Sequence, residues 1–288
     1  MNSQINTGIL LCTDLDRTLL PNGEPPESPA ARHYFNRLAR HPAISLAYVT
    51  GRHRQLVLDA IEEYQLPTPD YVIGDVGSSI YTINNDSTDG QWQAWNAWQE
   101  EIARDWRGLS HDELAQLFSD FTELQLQEAE KQNTFKLSYY ATEAADAEAL
   151  QHTMYQRLDQ RGIRANIIWS IDDLLHIGLL DVLPRSASKL HAIEFLMQRM
   201  GFQHNNTVFA GDSGNDLLVL SSHINAVLVA NARDEVREEA LQLAQANGTA
   251  SALYLAGGGL LDMNGNYSAG ILEGLVHYIP ETLAWLQD

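Results

Sequence analysis

The chain has 288 residues, which is enough for one large domain or two smaller ones, and its 44% apolar content allows a substantial core. The formal net charge of −20 argues against nucleic acid and anionic membrane surfaces as partners, because both require basic patches. No apolar run approaches the ~20 residues of a transmembrane helix, and the N-terminus lacks the pattern of a secretory signal. The single cysteine, Cys12, excludes a disulfide within the chain. We therefore expect a cytoplasmic protein that binds neither nucleic acid nor a membrane.

The first third of the chain alternates predicted strands and helices. Apolar runs bounded by turn residues predict strands over residues 9–13, 44–49, 71–74 and 79–83. Helices are expected over residues 28–40 and 54–64, the first with Ser28 as its N-cap and Pro29 at its first helical position. Such alternation is typical of a parallel sheet with helices on both faces.

A polar segment, NNDSTDG at residues 84–90, is the predicted domain boundary. The middle of the chain has a different order, with helices expected over 92–107, 111–118 and 144–161 and strands over 135–140, 165–170 and 174–180. After Pro184 the first pattern resumes, with strands over 207–210 and 226–229 and helices over 189–200, 215–222, 235–244 and 271–287, the last interrupted by Pro280. We therefore predict an α/β protein with a doubly wound, Rossmann-like parallel-sheet core (residues 1–83 and 184–288) and an inserted smaller α/β domain (84–183).

Polar residues follow several of the core strands. ILLCTDLDRTLL ends the first strand on a pair of aspartates, and a threonine follows the second strand in LAYVTGR. GDSGND follows the strand at 207–210, and one of only three lysines opens the helix at 189. In an open parallel sheet, ligands bind beyond the carboxyl ends of the strands. Six side chains would converge there: Asp14, Asp16, Thr50, Lys189, Asp212 and Asp216.

Four carboxylates and one lysine leave excess negative charge, which predicts a hard divalent cation such as Mg²⁺. A carboxylate can also act as a covalent nucleophile toward a phosphoryl group, and the remaining groups would neutralise charge on its oxygens. The structural alternatives are a capped turn for the aspartates, a strand-end hydroxyl for Thr50 and an exposed helical lysine for Lys189.

Four motifs, in this order, resemble those of the haloacid-dehalogenase superfamily of aspartate-nucleophile phosphohydrolases: DLDRT, the TG after the second strand, Pro-x4-Lys and GDSGND. With their strands they cover the chain from residue 9 to about 230. Four stretches resemble sucrose-phosphate phosphatases in particular: LAYVTGR at 46–52, VGSSIY at 76–81, NTFKLSYY at 133–140 and AGILEGL at 269–275. The inserted domain resembles the larger α/β cap domain of this superfamily.

The resemblance implies a role for each matching residue. Asp14 would be the nucleophile that forms an aspartyl-phosphate, and Asp16 the general acid/base. Thr50 and Lys189 would bind the phosphate and steady the nucleophile. The implied Mg²⁺ ligands are Asp14, Asp16 (through its backbone carbonyl), Asp212 and Asp216, the last also orienting the lysine or the metal's waters. The implied substrate contacts are Gly51, Arg52 and Asn215 in the core and Asn133, Lys136 and Ser138 in the cap. For Arg52, pairing with a surface acid is an equal alternative.

The expected activity is Mg²⁺-dependent hydrolysis of sucrose 6-phosphate. Within the same class, phosphatases for mannosylfructose phosphate or mannosyl-3-phosphoglycerate and a phosphomutase remain open. A non-catalytic sugar-phosphate sensor is the alternative from another class, and the presence of all four aspartates argues against it. Besides its small-molecule sugar phosphate, the protein is expected to have a sugar-phosphate synthase as a possible partner.

Overall fold

The computed structural model describes residues 7–84, 91–142, 145–172 and 177–287. Its strands are β1 Ile9–Thr13, β2 Ile44–Val49, β3 Tyr71–Gly74, β4 Ser79–Asn84, β5 Gln91–Ala94, β6 Leu124–Leu126, β7 Leu137–Ala141, β8 Ala165–Asp172, β9 Ile177–Pro184, β10 Thr207–Gly211, β11 Asn225–Leu228 and β12 Leu253–Leu255. Its α-helices are α1 Ala31–Ala39, α2 Arg54–Glu63, α3 Asn96–Ala103, α4 His111–Gln116, α5 Ala147–Gln160, α6 Lys189–Met200, α7 Leu217–Leu220, α8 Asp234–Ala246, α9 Ser268–Tyr278 and α10 Thr282–Gln287.

Two compact units divide the chain. The first consists of the described residues up to Ala94 and from Lys189 onward, and the second is Trp95–Ser188. The predicted boundaries were 83/84 and 183/184, and residues 85–90 of the predicted boundary segment lie outside the described part of the chain. The first unit extends to Ala94 because β5 pairs with β4. The second extends to Ser188, and hydrogen bonds from Arg185 and Ser186 to Arg164 and Asp105 hold this stretch within it.

The first unit is built on an eight-stranded sheet of order β12-β11-β10-β1-β2-β3-β4-β5. The six strands from β12 to β3 run parallel, and β4 and β5 add antiparallel strands at one edge. The predicted α/β fold with a parallel-sheet core is therefore confirmed. The parallel register places the carboxyl ends of β1, β2 and β10 side by side, and these are the ends that carry the predicted site residues.

Apolar side chains pack the helices against this sheet. Helices α1, α9 and α10 pack together, and their buried residues join those of β1 and β2, such as Leu11 and Leu46, in one core cluster. Helix α6 contacts β3, and α7 contacts β10 and β11. Among the described residues, no helix combines the length and the apolar character that crossing a bilayer requires.

The second unit contains an antiparallel sheet of order β6-β7-β9-β8 with its own core. Buried residues of α5, Met154 and Leu158, cluster with alternate residues of β7 and β9, such as Leu137 and Leu180. Alternation along β7 places Ser138 on the opposite face of the sheet. This antiparallel second sheet is consistent with the predicted cap domain.

Two local predictions were wrong. Residues 92–107 were expected to form one helix, but residues 91–94 form β5, where Trp92 stands opposite Ile83, and α3 begins only at Asn96. Ser28 does not cap α1, which begins at Ala31, and its hydroxyl instead accepts a hydrogen bond from the Asn264 N–H. The interruption predicted at Pro280 is confirmed, because α9 ends at Tyr278, α10 begins at Thr282, and Pro280 lacks the N–H that a continuous helix needs.

Candidate active site

The site lies at the carboxyl ends of β1 and β10. Asp14 directly follows β1, and its N–H donates to the carbonyl of Ala210 at 2.9 Å, which continues the parallel pairing by one residue. Asp212 directly follows β10. Both carboxylates are buried, with only 4% and 2% of each residue exposed. Buried carboxylates require compensating groups, and the neighbouring side chains supply them.

Lys189, the first residue of α6, is the principal compensating group. Its Nζ donates to Asp14 Oδ1 at 3.0 Å, to Asp216 Oδ1 at 2.7 Å and to Asn215 Oδ1 at 2.8 Å, so all three ammonium protons have acceptors. Burial by itself would lower the pKa of Lys189, but the charges of Asp14 and Asp216 outweigh it and raise the pKa above the ordinary value. The lysine is therefore a fixed positive charge beside Asp14.

Asp216 organises the loop after β10. Its Oδ2 accepts from the backbone N–H groups of Asp212 at 3.0 Å and Ser213 at 3.1 Å, while its Oδ1 binds Lys189. Gly211 permits this close approach, because a Cβ there would lie 2.5 Å from the Asp216 carboxylate. Asp216 thus positions both the lysine and the start of the loop.

Three of the predicted metal ligands form a buried acidic cluster. Carboxylate oxygens of Asp14, Asp212 and Asp216 lie within 4.8 Å of one another. Burial raises the pKa of Asp14 to about 8 in the metal-free protein, against the opposing effect of Lys189. Burial, followed by the charge of Asp216, raises that of Asp212 to about 6. Additional positive charge beside these two carboxyls would favour their ionised forms.

The acidic cluster fits a hard divalent cation. Asp212 Oδ2 is buried and has no hydrogen-bond partner among the described residues, although Arg17 Nε lies 3.4 Å away. Asp212 Oδ1 accepts from the Thr18 hydroxyl at 3.2 Å, which orients the carboxylate. An unsatisfied carboxylate oxygen within an all-oxygen donor set is the type of ligand that Mg²⁺ takes. Since Asp216 is already used by Lys189 and backbone N–H groups, Asp14 and Asp212 are the carboxylates with free capacity.

Asp16 has different surroundings. Its side chain is 43% exposed, and its carboxylate accepts from Arg52 through Nε at 2.8 Å and Nη2 at 2.6 Å. The Asn22 amide donates to Asp16 Oδ1 at 2.8 Å. Burial acts to raise the pKa of Asp16, but these hydrogen bonds and the Arg52 charge outweigh it and lower the pKa. Its carboxylate does not belong to the acidic cluster, and metal binding by its backbone carbonyl stays a prediction.

The turn after β2 holds Thr50, Gly51 and Arg52. Thr50 is fully buried; its N–H donates to the Ile73 carbonyl, and its hydroxyl accepts from the Arg52 N–H at 3.2 Å. The next loop secures this turn, because Asp75 N–H donates to the Arg52 carbonyl at 3.0 Å. The predicted contacts of Thr50, Gly51 and Asn215 with a phosphate stay predictions.

The predicted cap residues are placed within the second unit. The Ser138 hydroxyl donates to Asp181 Oδ1 at 2.5 Å, and the buried Lys136 has its Nζ 3.8 Å from Asp181 Oδ2. Asn133 accepts from the Phe135 N–H through its side chain at 2.8 Å, which shapes the turn before β7. Their contacts with a sugar stay predictions.

Sequence reasoning missed Asp181, Asn22 and Arg17. Asp181 is the single acid in the apolar run IGLLDVLP, which was a usable signal, but its position opposite Ser138 follows only from the pairing of β7 with β9. Asn22 lies in the exposed segment after the DLDRT motif, and nothing in its spacing relates it to Asp16. The partner of Arg17, Asp212, lies far along the chain.

Comparison with known proteins places the chain in a family. The sequence model of the sucrose-6F-phosphate phosphohydrolase family matches residues 7–279. A putative HAD-like hydrolase of Nitrosococcus oceani is 56% identical over 279 residues, which is 97% of this chain and 74% of that protein. Sucrose-phosphatase 1 of Nicotiana tabacum is 30% identical over 94% of this chain and 59% of its own length, so the chain spans only part of that enzyme.

A third relative has a different name. Glucosylglycerol-phosphate synthase of Pseudomonas anguilliseptica is 30% identical over 223 residues, which is 77% of this chain but only 26% of that protein. The match therefore concerns about a quarter of the synthase.

Solved structures agree on the fold. A sucrose-phosphatase from Synechocystis, solved in complex with sucrose and phosphate, aligns with a TM-score of 0.69 at 24% identity, over 96% of this chain and 99% of that one. A haloacid dehalogenase-like hydrolase from Bacillus subtilis aligns with a TM-score of 0.64 at 18% identity, over 96% of this chain and 94% of that one. With its four motifs carried on this fold, the chain belongs to the sucrose-6F-phosphate phosphohydrolase family of haloacid-dehalogenase-like phosphatases, and is a phosphoric monoester hydrolase.

Proposed function

We propose that the protein hydrolyses sucrose 6-phosphate to sucrose and inorganic phosphate through an aspartyl-phosphate on Asp14, with Mg²⁺ bound at the acidic cluster. The observation that carries the proposal is the placement of Asp14. It is a buried carboxylate at a strand end, it is paired with Lys189 at 3.0 Å, and it shares a metal-compatible cluster with Asp212. A bound Mg²⁺ would supply the positive charge that keeps Asp14 ionised and neutralises the phosphoryl oxygens.

The first step forms a bond between an Asp14 carboxylate oxygen and phosphorus, and breaks the bond between phosphorus and the sugar oxygen. Lys189 holds the nucleophile in place and offsets negative charge as the phosphoryl group arrives. The departing alkoxide takes a proton from Asp16, which must first be protonated. After this step, the proton of Asp16 is on the free sugar and the phosphoryl group is on Asp14 as an acyl phosphate.

The second step restores the enzyme. Water attacks phosphorus while Asp16, now ionised, accepts its proton, and the bond between phosphorus and Asp14 breaks to release phosphate. The ion pair with Arg52 is suited to this step, because it favours the ionised carboxylate of Asp16. Water attacks only after the sugar has left, so hydrolysis rather than transfer back to a sugar is the outcome.

Phosphate release is the direct test. We expect release from sucrose 6-phosphate with Mg²⁺, none after chelation of the metal, and a loss of at least about 1,000-fold in Asp14→Asn, because the nucleophile is removed. Asp59→Asn, an exposed acid of α2, is the matched control and should keep wild-type activity. Full activity in Asp14→Asn would refute the covalent route.

A panel of substrates tests the sugar. Mannosylfructose phosphate and mannosyl-3-phosphoglycerate belong in it, as does glucosylglycerol phosphate, because about a quarter of a synthase for that compound matches this chain. Faster release from one of these than from sucrose 6-phosphate would keep the mechanism and replace the substrate. Retention of the phosphate on the sugar would instead indicate a phosphomutase. Binding without any turnover would support the sensor alternative.

The cap residues are proposed to bind the sugar. Lys136→Ala should raise KM for sucrose 6-phosphate about 10-fold and leave KM for p-nitrophenyl phosphate unchanged, since the aryl ester has no sugar to bind. Lys131→Ala, also a lysine of the second unit, is the control. Equal loss on both substrates would show that Lys136 acts on stability through Asp181.

A sugar-phosphate synthase is the proposed protein partner. Support comes from the match to part of a glucosylglycerol-phosphate synthase, in which a phosphatase-like stretch occurs within a protein named as a synthase. Sedimentation of this protein with a purified sucrose-phosphate synthase should show a complex. Independent sedimentation at micromolar concentrations would remove this proposal without affecting the phosphatase activity.

A further inference from the structure

The carboxylate of Asp16 is held by two side chains that come from different strand ends. Arg52, after β2, donates through Nε and Nη2, and Asn22, beyond the end of β1, donates to the same Oδ1 that Arg52 Nη2 reaches. Both carboxylate oxygens therefore have protein donors. A bidentate pairing of guanidinium and carboxylate restricts the plane of the carboxylate as well as its position.

Each of the two donors is itself anchored. The Arg52 N–H donates to the Thr50 hydroxyl, the Arg52 carbonyl accepts from the Asp75 N–H, and its Nη1 donates to the Leu56 carbonyl at 3.2 Å. Three of its five N–H donors thus bind protein atoms, including both donors of the edge that faces Asp16. The edge formed by Nε and Nη2 is therefore already occupied by a carboxylate.

Asn22 has a fixed orientation. Its Oδ1 accepts from the Arg17 N–H at 2.8 Å while its Nδ2 donates to Asp16 at 2.8 Å. A backbone N–H can only donate, so the oxygen of the amide must face Arg17 and the nitrogen must face Asp16. Arg17 has a left-handed backbone with φ of 59°, and its carbonyl accepts from Asn231 at 2.6 Å, which holds the turn from the other side.

We propose that Asn22 and Arg52 are positioning residues that orient the Asp16 carboxylate for proton transfer, and that Arg52 serves Asp16 rather than the substrate phosphate. The proposal rests on the proposed function for the role of Asp16. It revises the role that sequence resemblance implied for Arg52, and it assigns one to Asn22. The competing explanation is an ordinary exposed ion pair, which contributes only ~0–1 kcal/mol to stability and nothing to the reaction.

The test compares two leaving groups. An alkyl sugar phosphate needs a proton on its departing oxygen, whereas p-nitrophenolate leaves without one. The parameter is kcat/KM, which reports only the steps up to departure of the leaving group. The alkyl substrate is whichever sugar phosphate the wild type hydrolyses fastest, so that a wrong sugar in the proposed function does not affect this test.

Arg52→Ala and Asn22→Ala should each lower kcat/KM for the sugar phosphate, by at least about 10-fold and about 5-fold, and change it less than about 3-fold for p-nitrophenyl phosphate. Arg52→Lys should resemble Arg52→Ala, because lysine keeps the charge but loses the two-pronged geometry. Arg54→Ala removes a neighbouring exposed arginine and is the control for charge.

A double-mutant cycle with Asp16→Asn separates the two roles of Arg52. If Arg52 acts through Asp16, Arg52→Ala should cause no further loss in an Asp16→Asn background. If Arg52 instead binds the phosphate, Arg52→Ala should lower kcat/KM equally for both substrates, and Arg52→Lys should keep most of the wild-type value. The losses caused by Arg52→Ala and Asp16→Asn should then add. This set of results would overturn the proposal.

Folding and function are checked separately. Asn22→Ala removes a single exposed side chain, so it supplies the test even if Arg52→Ala does not fold, and circular dichroism identifies that case. If folded Asn22→Ala shows the same ratio of kcat/KM between the two substrates as the wild type, the positioning role of Asn22 is overturned. A wild type that hydrolyses sugar phosphates other than sucrose 6-phosphate would instead revise the proposed function and leave the positioning role standing.

Discussion

At the scale of single residues, the carboxylates of the site are shared among different cations. Lys189 binds Asp14 and Asp216, while Arg52 binds Asp16 and Arg17 approaches Asp212. These three cations do not balance the four carboxylates, so binding of an anionic phosphate by a protein with a net charge of −20 would also require the positive charge of a bound Mg²⁺. The global field opposes an incoming phosphate, but cations placed within a few ångströms of it act more strongly than distant acids that solvent screens.

Loss of Lys189 should destabilise the metal-free protein. Lys189→Met leaves Asp14 and Asp216 buried without their cation, and breaking one side of a buried ion pair costs about 3–5 kcal/mol. Urea unfolding should show this loss in chelator and a partial recovery with Mg²⁺, since the metal adds positive charge beside Asp14. Lys131→Met, an exposed lysine of the second unit, should change stability by less than about 1 kcal/mol. Equal stability of Lys189→Met and wild type in chelator would contradict the compensating role.

Binding of Mg²⁺ should release protons near neutral pH. Because the pKa values of Asp14 and Asp212 are raised to about 8 and about 6 in the metal-free protein, these groups bind protons there that the metal must displace. Apparent affinity for Mg²⁺ should therefore increase as pH rises through this interval. Calorimetry in buffers of different ionisation enthalpy measures the release, and Asp14→Asn should reduce it.

The raised pKa values of Asp14 and Asp212 also determine how the stability of the metal-free protein depends on pH. A folded-state pKa above the unfolded value contributes stability that is present at low pH and lost as pH rises through the folded value. The free energy of unfolding of the metal-free protein should therefore fall as pH rises from about 4, the ordinary pKa of an aspartate, up to about 6 for Asp212 and about 8 for Asp14, and saturating Mg²⁺ should remove that dependence. A flat profile in chelator would show that Lys189 alone keeps both groups ionised.

At the scale of elements, the packing of α9 on the sheet depends on a close approach. A Cβ at Gly274 would lie 2.1 Å from the Val227 side chain of β11, much closer than real Cβ contacts. Gly274 thus allows α9 to lie close to β11. The same helix carries Glu273, whose carboxylate accepts hydrogen bonds from the N–H groups of Gly257 and Gly258 at 3.0 Å and 2.8 Å. These two hydrogen bonds hold the glycine-rich segment at residues 257–259 against α9.

Gly274→Ala should be destabilising by about 1–3 kcal/mol, the usual cost of overpacking a core. Urea unfolding measures it, and Val227→Ala in the same chain should recover part of the loss by making room. Gly257→Ala is the matched control, because no atom lies within 4 Å of a Cβ placed there and its N–H is retained. A stability of Gly274→Ala equal to that of the control would mean that α9 shifts at little cost.

At the scale of the whole molecule, the apolar cores belong to the individual units, whereas the net charge belongs to the entire chain. Each unit has its own buried cluster, one around the eight-stranded sheet and one around the four-stranded sheet. The excess of acids over bases, 38 against 18, acts on the entire chain. Repulsion among like charges disfavours the compact state and weakens as salt screens it.

Salt should accordingly stabilise the protein. The free energy of unfolding in chelator should rise when sodium chloride is increased from well below to above physiological strength, since screening relieves repulsion in the folded state more than in the expanded one. The comparison with magnesium chloride at equal ionic strength isolates site binding, which should give an additional increase. A decrease with sodium chloride would indicate that the ion pairs of the site outweigh the global repulsion.

Local patterns in the sequence were sufficient to predict the fold class and the groups of the site. Strand and helix periodicity is local, so it predicted the parallel-sheet core, and the rule that parallel strands end at one edge was enough to expect Asp14, Lys189, Asp212 and Asp216 near one another. Local patterns were insufficient where pairing across the sheet decided the element, as in β5, whose residues had been expected in a helix.

The pairing of each cation with its carboxylate depends on how distant parts of the chain pack together. Asp16 lies two residues from Asp14, yet it binds Arg52 and Asn22 instead of joining the acidic cluster. Asp181 likewise meets Ser138 only through the register of β7 and β9. The physical reason is that hydrogen bonds act over about 3 Å and depend on direction. Sequence spacing places backbone positions near one another but does not specify side-chain orientation, which the packing of loops from distant parts of the chain determines.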